Sequence, residues 1–166
     1  MIYGLTHLGV LHTAISLIAV IAGLAGLIRD GRITPDNTLG KVYWVTTVIT
    51  CLTALGIFQH GGFGKPHALA LITLAALAVA ALAAKTWLFG KLAPYVEMVC
   101  YSATFLFHLI PAITETSTRL PLGAPLLPNA DAPQLQVATG ALLLLFLAGA
   151  GWQVWRLHRA PGLRTA

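Results

Sequence analysis

Apolar residues run in five long blocks along the chain, broken by short polar or Gly/Pro-rich segments. The blocks cover about residues 5–28, 41–59, 66–84, 94–113 and 135–155. A helix that crosses a bilayer needs about 20 predominantly apolar residues. The expected fold is therefore all-α, a single polytopic bundle of five transmembrane helices over residues 1–166. The breaks support these limits. Arg29-Asp30-Gly31-Arg32 closes the first block. His60-Gly61-Gly62-Phe63-Gly64-Lys65-Pro66 reads as a tight turn between the second and third. Lys85, Trp87 and Lys91 end the third as interfacial anchors, and the polar, Pro-rich stretch from Thr114 to Pro133 follows the fourth.

Composition agrees with this pattern. Of the 166 residues, 57% are hydrophobic and only 9% charged, whereas soluble domains are nearer a quarter charged. A water-soluble globule and a disordered chain are both excluded. The net charge of +5 would suit nucleic acid, but the positions of the charges assign it to topology instead. Arg29, Arg32, Lys41, Lys85, Lys91, Arg156, Arg159 and Arg164 fall on one side of the five spans, and only Lys65 and Arg119 on the other. The positive-inside rule then places the N-terminus outside and the C-terminus inside, as in a bacterial inner membrane protein. No Lys or Arg precedes the first block, so it reads as a retained helix rather than a signal peptide. Cys51 and Cys100 lie within apolar stretches and form no Cys-x-x-Cys motif, which favours buried free thiols.

The six histidines change the picture most. His7, His12, His60, His67 and His108 all fall toward the outer side, on four different spans, and only His158 lies inside. His12 lies about 10 Å along its helix from Leu5, and His108 about the same from Glu115. Ionisable groups at such depth are costly and mark function by default. Gly9, His12, Ser16, Ala19, Gly23 and Gly26 recur every three or four residues as a stripe of small residues, so His12 should face the bundle. His7 lies well round the helix from it. In the fourth span, Glu97, Tyr101, Thr104, His108, Ala112 and Glu115 share one face. In the second, Thr46, Thr50 and Thr53 lead to His60.

Several chemistries suit this arrangement. A b-type haem for electron transfer would take His12 and His108 as axial ligands, with room for the ring at Gly9 and Gly56 and a propionate partner in Arg119 or Lys65. Lacking an inner histidine pair, the chain would hold at most one haem. A zinc or copper site would draw on His12, His60, His67, His108 and Glu115, although no local metal motif such as His-Glu-x-x-His occurs. The polar face of the fourth span could instead carry protons through Glu97, Tyr101, His108 and Glu115. A quinone site, or a small accessory subunit, remains open as well. The expected partners are the lipid bilayer, a quinone or periplasmic redox protein, and other copies or subunits in a larger membrane complex.

The segment Gly40-Lys41-Val42-Tyr43, following a basic loop at the start of a span, resembles an uncharacterised family of small bacterial multi-pass membrane proteins with scattered histidines. The resemblance covers mainly the first three spans. It departs from the family pattern in lacking a His-Arg pair within Pro35–Leu39. The histidine placement also resembles single-haem variants of four-helix b-type cytochromes, which implies a haem between facing helices.

Overall fold

A computed structural model describes residues 6–58 and 61–159. Five helices account for most of them: α1 (His7–Asp30), α2 (Thr38–Leu55), α3 (Lys65–Lys85), α4 (Ala93–Arg119) and α5 (Pro133–Arg159). All five are long and apolar enough to cross a membrane. No strand occurs among the described residues.

Local chemistry sets the helix limits. Thr6 caps α1 by accepting a hydrogen bond from the Gly9 amide at 3.0 Å. Gly31 ends it in the left-handed region (φ 71°), donating its amide to the Leu27 carbonyl. Asn37 caps α2 through the Gly40 amide. Helix α2 stops at Leu55, four residues before the end of the apolar block, with Gly56 at its cap. Helix α4 continues to Arg119, beyond the expected limit at residue 113. The extra turns place Glu115 and Arg119 four apart on one helix, where they form an ion pair. The stretch expected to be irregular thus begins only at Leu120. Pro111 lies within α4 and has no amide for the Phe107 carbonyl.

Helices α1 to α4 form a ring of neighbours, each packed on the next and α1 closing weakly on α4, while α5 packs on the outside of α4. The core comprises Ala19, Ala22, Ile33, Tyr43, Leu77, Ala80, Tyr101 and Phe105. The small-residue stripe of α1 is buried as expected at Gly9, Ala19, Gly23 and Gly26. Its reason is visible at Gly23, where a Cβ would stand 2.7 Å from the Phe105 ring and 2.8 Å from that of Tyr43. Gly40 is obligatory for a harder reason, because a Cβ there would collide with the backbone carbonyl of Thr34. Large apolar residues such as Leu17, Ile21 and Leu144 are exposed on the bundle's outside. Lipid is the solvent that such a surface matches.

The two ends of the bundle differ in chemistry. One gathers the C-termini of α1, α3 and α5 with Arg29, Lys85, Arg156 and Arg159. The other carries the start of α1, the end of α4 and the Lys65–Asp131 ion pair. Arg164 lies outside the described residues.

Candidate functional site

The buried polar groups of the bundle meet along α2. Its residues Tyr43, Thr47 and Thr50 recur at four and three, so their side chains share the inward face and are all buried. Thr53 continues the same ladder one turn further. His12 of α1 and His108 of α4 both bond to this ladder from opposite sides.

The tautomer of His12 follows from its partners. Its Nδ1 lies 3.2 Å from the Thr50 carbonyl, which can only accept, so Nδ1 carries the proton. The same nitrogen lies 3.0 Å from Thr53 Oγ1. That hydroxyl already donates to the Ile49 and Thr50 carbonyls, so it accepts from the imidazole. The neutral ring of His12 therefore keeps its lone pair on Nε2. His12 is partly buried, and no protein donor occupies Nε2 among the described residues.

His108 is buried, with Nε2 3.0 Å from Thr47 Oγ1. Its ring stands edge-on to Tyr43, with centroids 5.9 Å apart. Tyr43 Oη donates to Thr104 Oγ1 at 2.8 Å, and Thr104 donates in turn to the Tyr101 carbonyl. This donor chain ends on a backbone oxygen. Tyr43, Thr47, Tyr101 and Thr104 are the largest fully enclosed side chains among the described residues and close the bundle on its basic side.

One polar atom in this layer is unsatisfied. Thr50 Oγ1 is buried and has no hydrogen-bond partner among the described residues. It lies between the two anchor points, about 4.5 Å along the helix axis from Thr47 and the same from Thr53. Buried hydroxyls are paired in most folded proteins, so this orphan marks where a further polar group belongs.

The other sequence-derived candidates are placed differently. His67 is buried at the start of α3, where its Nδ1 accepts from the Gly64 amide at 3.2 Å. Its proton is therefore on Nε2, the reverse of His12, and that N–H has no partner among the described residues. The rings of Phe58 and Phe63 pack against it at 4.7 and 5.4 Å. Held this way, His67 offers a proton rather than a lone pair. His60 lies outside the described residues. Glu115 is taken up by Arg119. Among the described residues, no three His, Cys, Asp or Glu side chains come together as a metal-binding group. Gly9 is buried, with its amide on Thr6 and its carbonyl accepting from Thr13. Gly56 makes room for Leu8, whose Cδ2 would lie 3.3 Å from an added Cβ. His7 is exposed.

Two functional-looking residues were not visible in the sequence pattern. Thr47 is fully buried, whereas Thr46 bonds to the Val42 carbonyl of its own helix. The spacing 43, 47, 50 carries the signal that selects Thr47. Gln153 of α5 accepts from Ser102 at 2.7 Å and donates to the Gly31 carbonyl at 2.9 Å, joining three helices. A glutamine set among the apolar residues of the fifth span was its only sign.

No family model matches the chain, and no curated protein or solved structure is found similar to it.

Proposed function

We propose that the protein binds a b-type haem between α1 and α4 and transfers single electrons near the outer face of a bacterial inner membrane. One observation carries this reading. His12 donates Nδ1–H to the Thr50 carbonyl and Thr53 hydroxyl, which fixes its tautomer and leaves Nε2 as a lone pair. Metal-ligating imidazoles characteristically donate their other ring N–H to such an acceptor. His108, held on the same ladder from α4, is the second imidazole. Its Nε2 rests on Thr47, and it would be this nitrogen, freed from that hydrogen bond, that held the group. When bound, the haem supplies one-electron redox chemistry. The chain's own groups orient the imidazoles and exclude water, with Tyr43, Thr104 and Tyr101 closing the inner side. Arg119, at the end of α4, is the propionate partner once released from Glu115. A quinone or a periplasmic redox protein exchanges the electron.

The orientation rests on charge. The basic end of the bundle faces the cytoplasm and the histidine end the periplasm, as the positive-inside rule requires. A proton path from end to end is a weaker reading, because the donor chain from Tyr43 stops at the Tyr101 carbonyl.

The test is an absorption spectrum of the purified full chain from haem-replete cells, with zinc and copper measured on the same sample. The expected result is a Soret band that shifts on reduction and disappears in His12→Ala. A colourless protein overturns the haem reading. If it holds stoichiometric zinc or copper, the site is a metal site instead.

A further inference from the structure

At the basic end, far from His12 and His108, α5 leans on α4 and leaves a cleft against α1. The cleft has a volume of about 360 Å³, with Leu27, Asp30, Gly31, Gly149, Gln153 and Arg156 among its walls. We infer that this cleft is a binding site for the phosphodiester headgroup of an anionic phospholipid, with Arg156 as its principal ligand.

Charge is the first reason. The acid in the wall, Asp30, is already engaged at 2.8 Å by both the Nε and Nη2 of Arg29, and at 3.0 Å by Asn37. Arg156 makes no ion pair among the described residues, and its Nη1 lies where a side chain on Gly31 would begin, 2.6 Å from the position of that Cβ. A guanidinium presents paired N–H donors that match phosphate oxygens. The second reason is rigidity. Gln153 ties α5 to the Gly31 carbonyl across the cleft floor, so the two walls are held at a fixed separation. The third is the continuation of the cleft. Ile28 is 77% exposed and Leu145 67%, which leaves apolar surface on both helices for acyl chains beside a charged mouth. Free phosphate shares the headgroup's charge but has no use for that apolar surface, so the lipid is the better occupant.

The experiment is native mass spectrometry of the full chain in a non-ionic detergent, titrated separately with phosphatidylglycerol, phosphatidylcholine and inorganic phosphate. Phosphatidylglycerol should be retained in preference to phosphatidylcholine. Arg156→Gln should weaken that retention about fivefold, the worth of one well-placed cation near a lipid surface. Gly149→Phe provides a second variant that keeps every charge. A Cβ at Gly149 meets nothing within 4 Å, so the ring fills the cleft without disturbing packing, and retention should again fall. Lys91→Gln, between α3 and α4 and outside the cleft, should leave retention unchanged. Equal retention of both lipids, or retention insensitive to both cleft variants, overturns the site. Retention of inorganic phosphate without lipid overturns the lipid assignment.

Discussion

The two ends of the bundle solve the same burial problem in opposite ways. Toward the histidine end, two imidazoles lean on hydroxyls or a carbonyl of α2: His12 on Thr50 and Thr53, His108 on Thr47. Toward the basic end, charges stay at the rim and the buried connection is one amide, Gln153, spanning Ser102 and Gly31. Neutral imidazoles can sit among helices at modest cost because their hydrogen bonds are supplied locally. The difference is between imidazoles hydrogen-bonded to a neighbouring helix in the first region and an amide that joins helices in the second. A substitution at Gln153 should alter stability alone, while one at His12 or His108 should also alter the proposed chemistry.

The largest expected effect tests the scaffold role of the basic end. Gly40→Ala sets a methyl against the Thr34 backbone carbonyl, which no rotamer can relieve. It should destabilise the protein by about 3 kcal/mol or more, toward or beyond the upper end of overpacking effects. Unfolding by denaturant in mixed micelles measures this, and a change near zero would mean that the loop before α2 is not where the structure puts it. Thr47→Val comes next. It leaves His108 Nε2 without its partner and should cost about 1–2 kcal/mol, as for interhelical hydrogen bonds in membranes. Combining it with His108→Leu should cost less than the sum of the single changes, because the two share one interaction. Strict additivity would separate them. Gln153→Leu should cost about 1 kcal/mol and leave the spectrum of any bound cofactor unchanged. Lys65→Ala removes a highly exposed ion pair with Asp131 and should leave the unfolding midpoint where it was.

Much of this architecture was legible in the residues. Apolar block length marks the five helices, and the spacing of Gly9, Ala19, Gly23 and Gly26 identifies the buried face of α1. The same spacing rule turns His12 and His108 toward the interior. The length of α4 was less legible, because Thr114, Glu115, Thr116, Ser117 and Thr118 are polar and read as a loop. Thr114 and Thr118 instead donate to carbonyls four residues earlier and stay within the helix. The partners of the histidines were hidden for a different reason. Thr46 and Thr47 are adjacent and chemically alike, and the spacing 43, 47, 50 selects Thr47 only once packing shows that Tyr43 and Thr50 face inward. His67 shows a further limit. Its position beside Pro66 suggested a ligand among others, yet the imidazole closes the first turn of its own helix by accepting from Gly64.

The opposite tautomers of His12 and His67 provide the most direct test. Nitrogen-15 magnetic resonance of histidine-labelled protein, with His12→Gln and His67→Gln used for assignment, reads which ring nitrogen carries the proton. In the cofactor-free chain, His12 should be protonated at Nδ1 with a bare Nε2, and His67 the reverse. A His12 ring protonated at Nε2 would contradict the hydrogen bond to the Thr50 carbonyl and remove the lone pair on which its proposed role as a ligand rests.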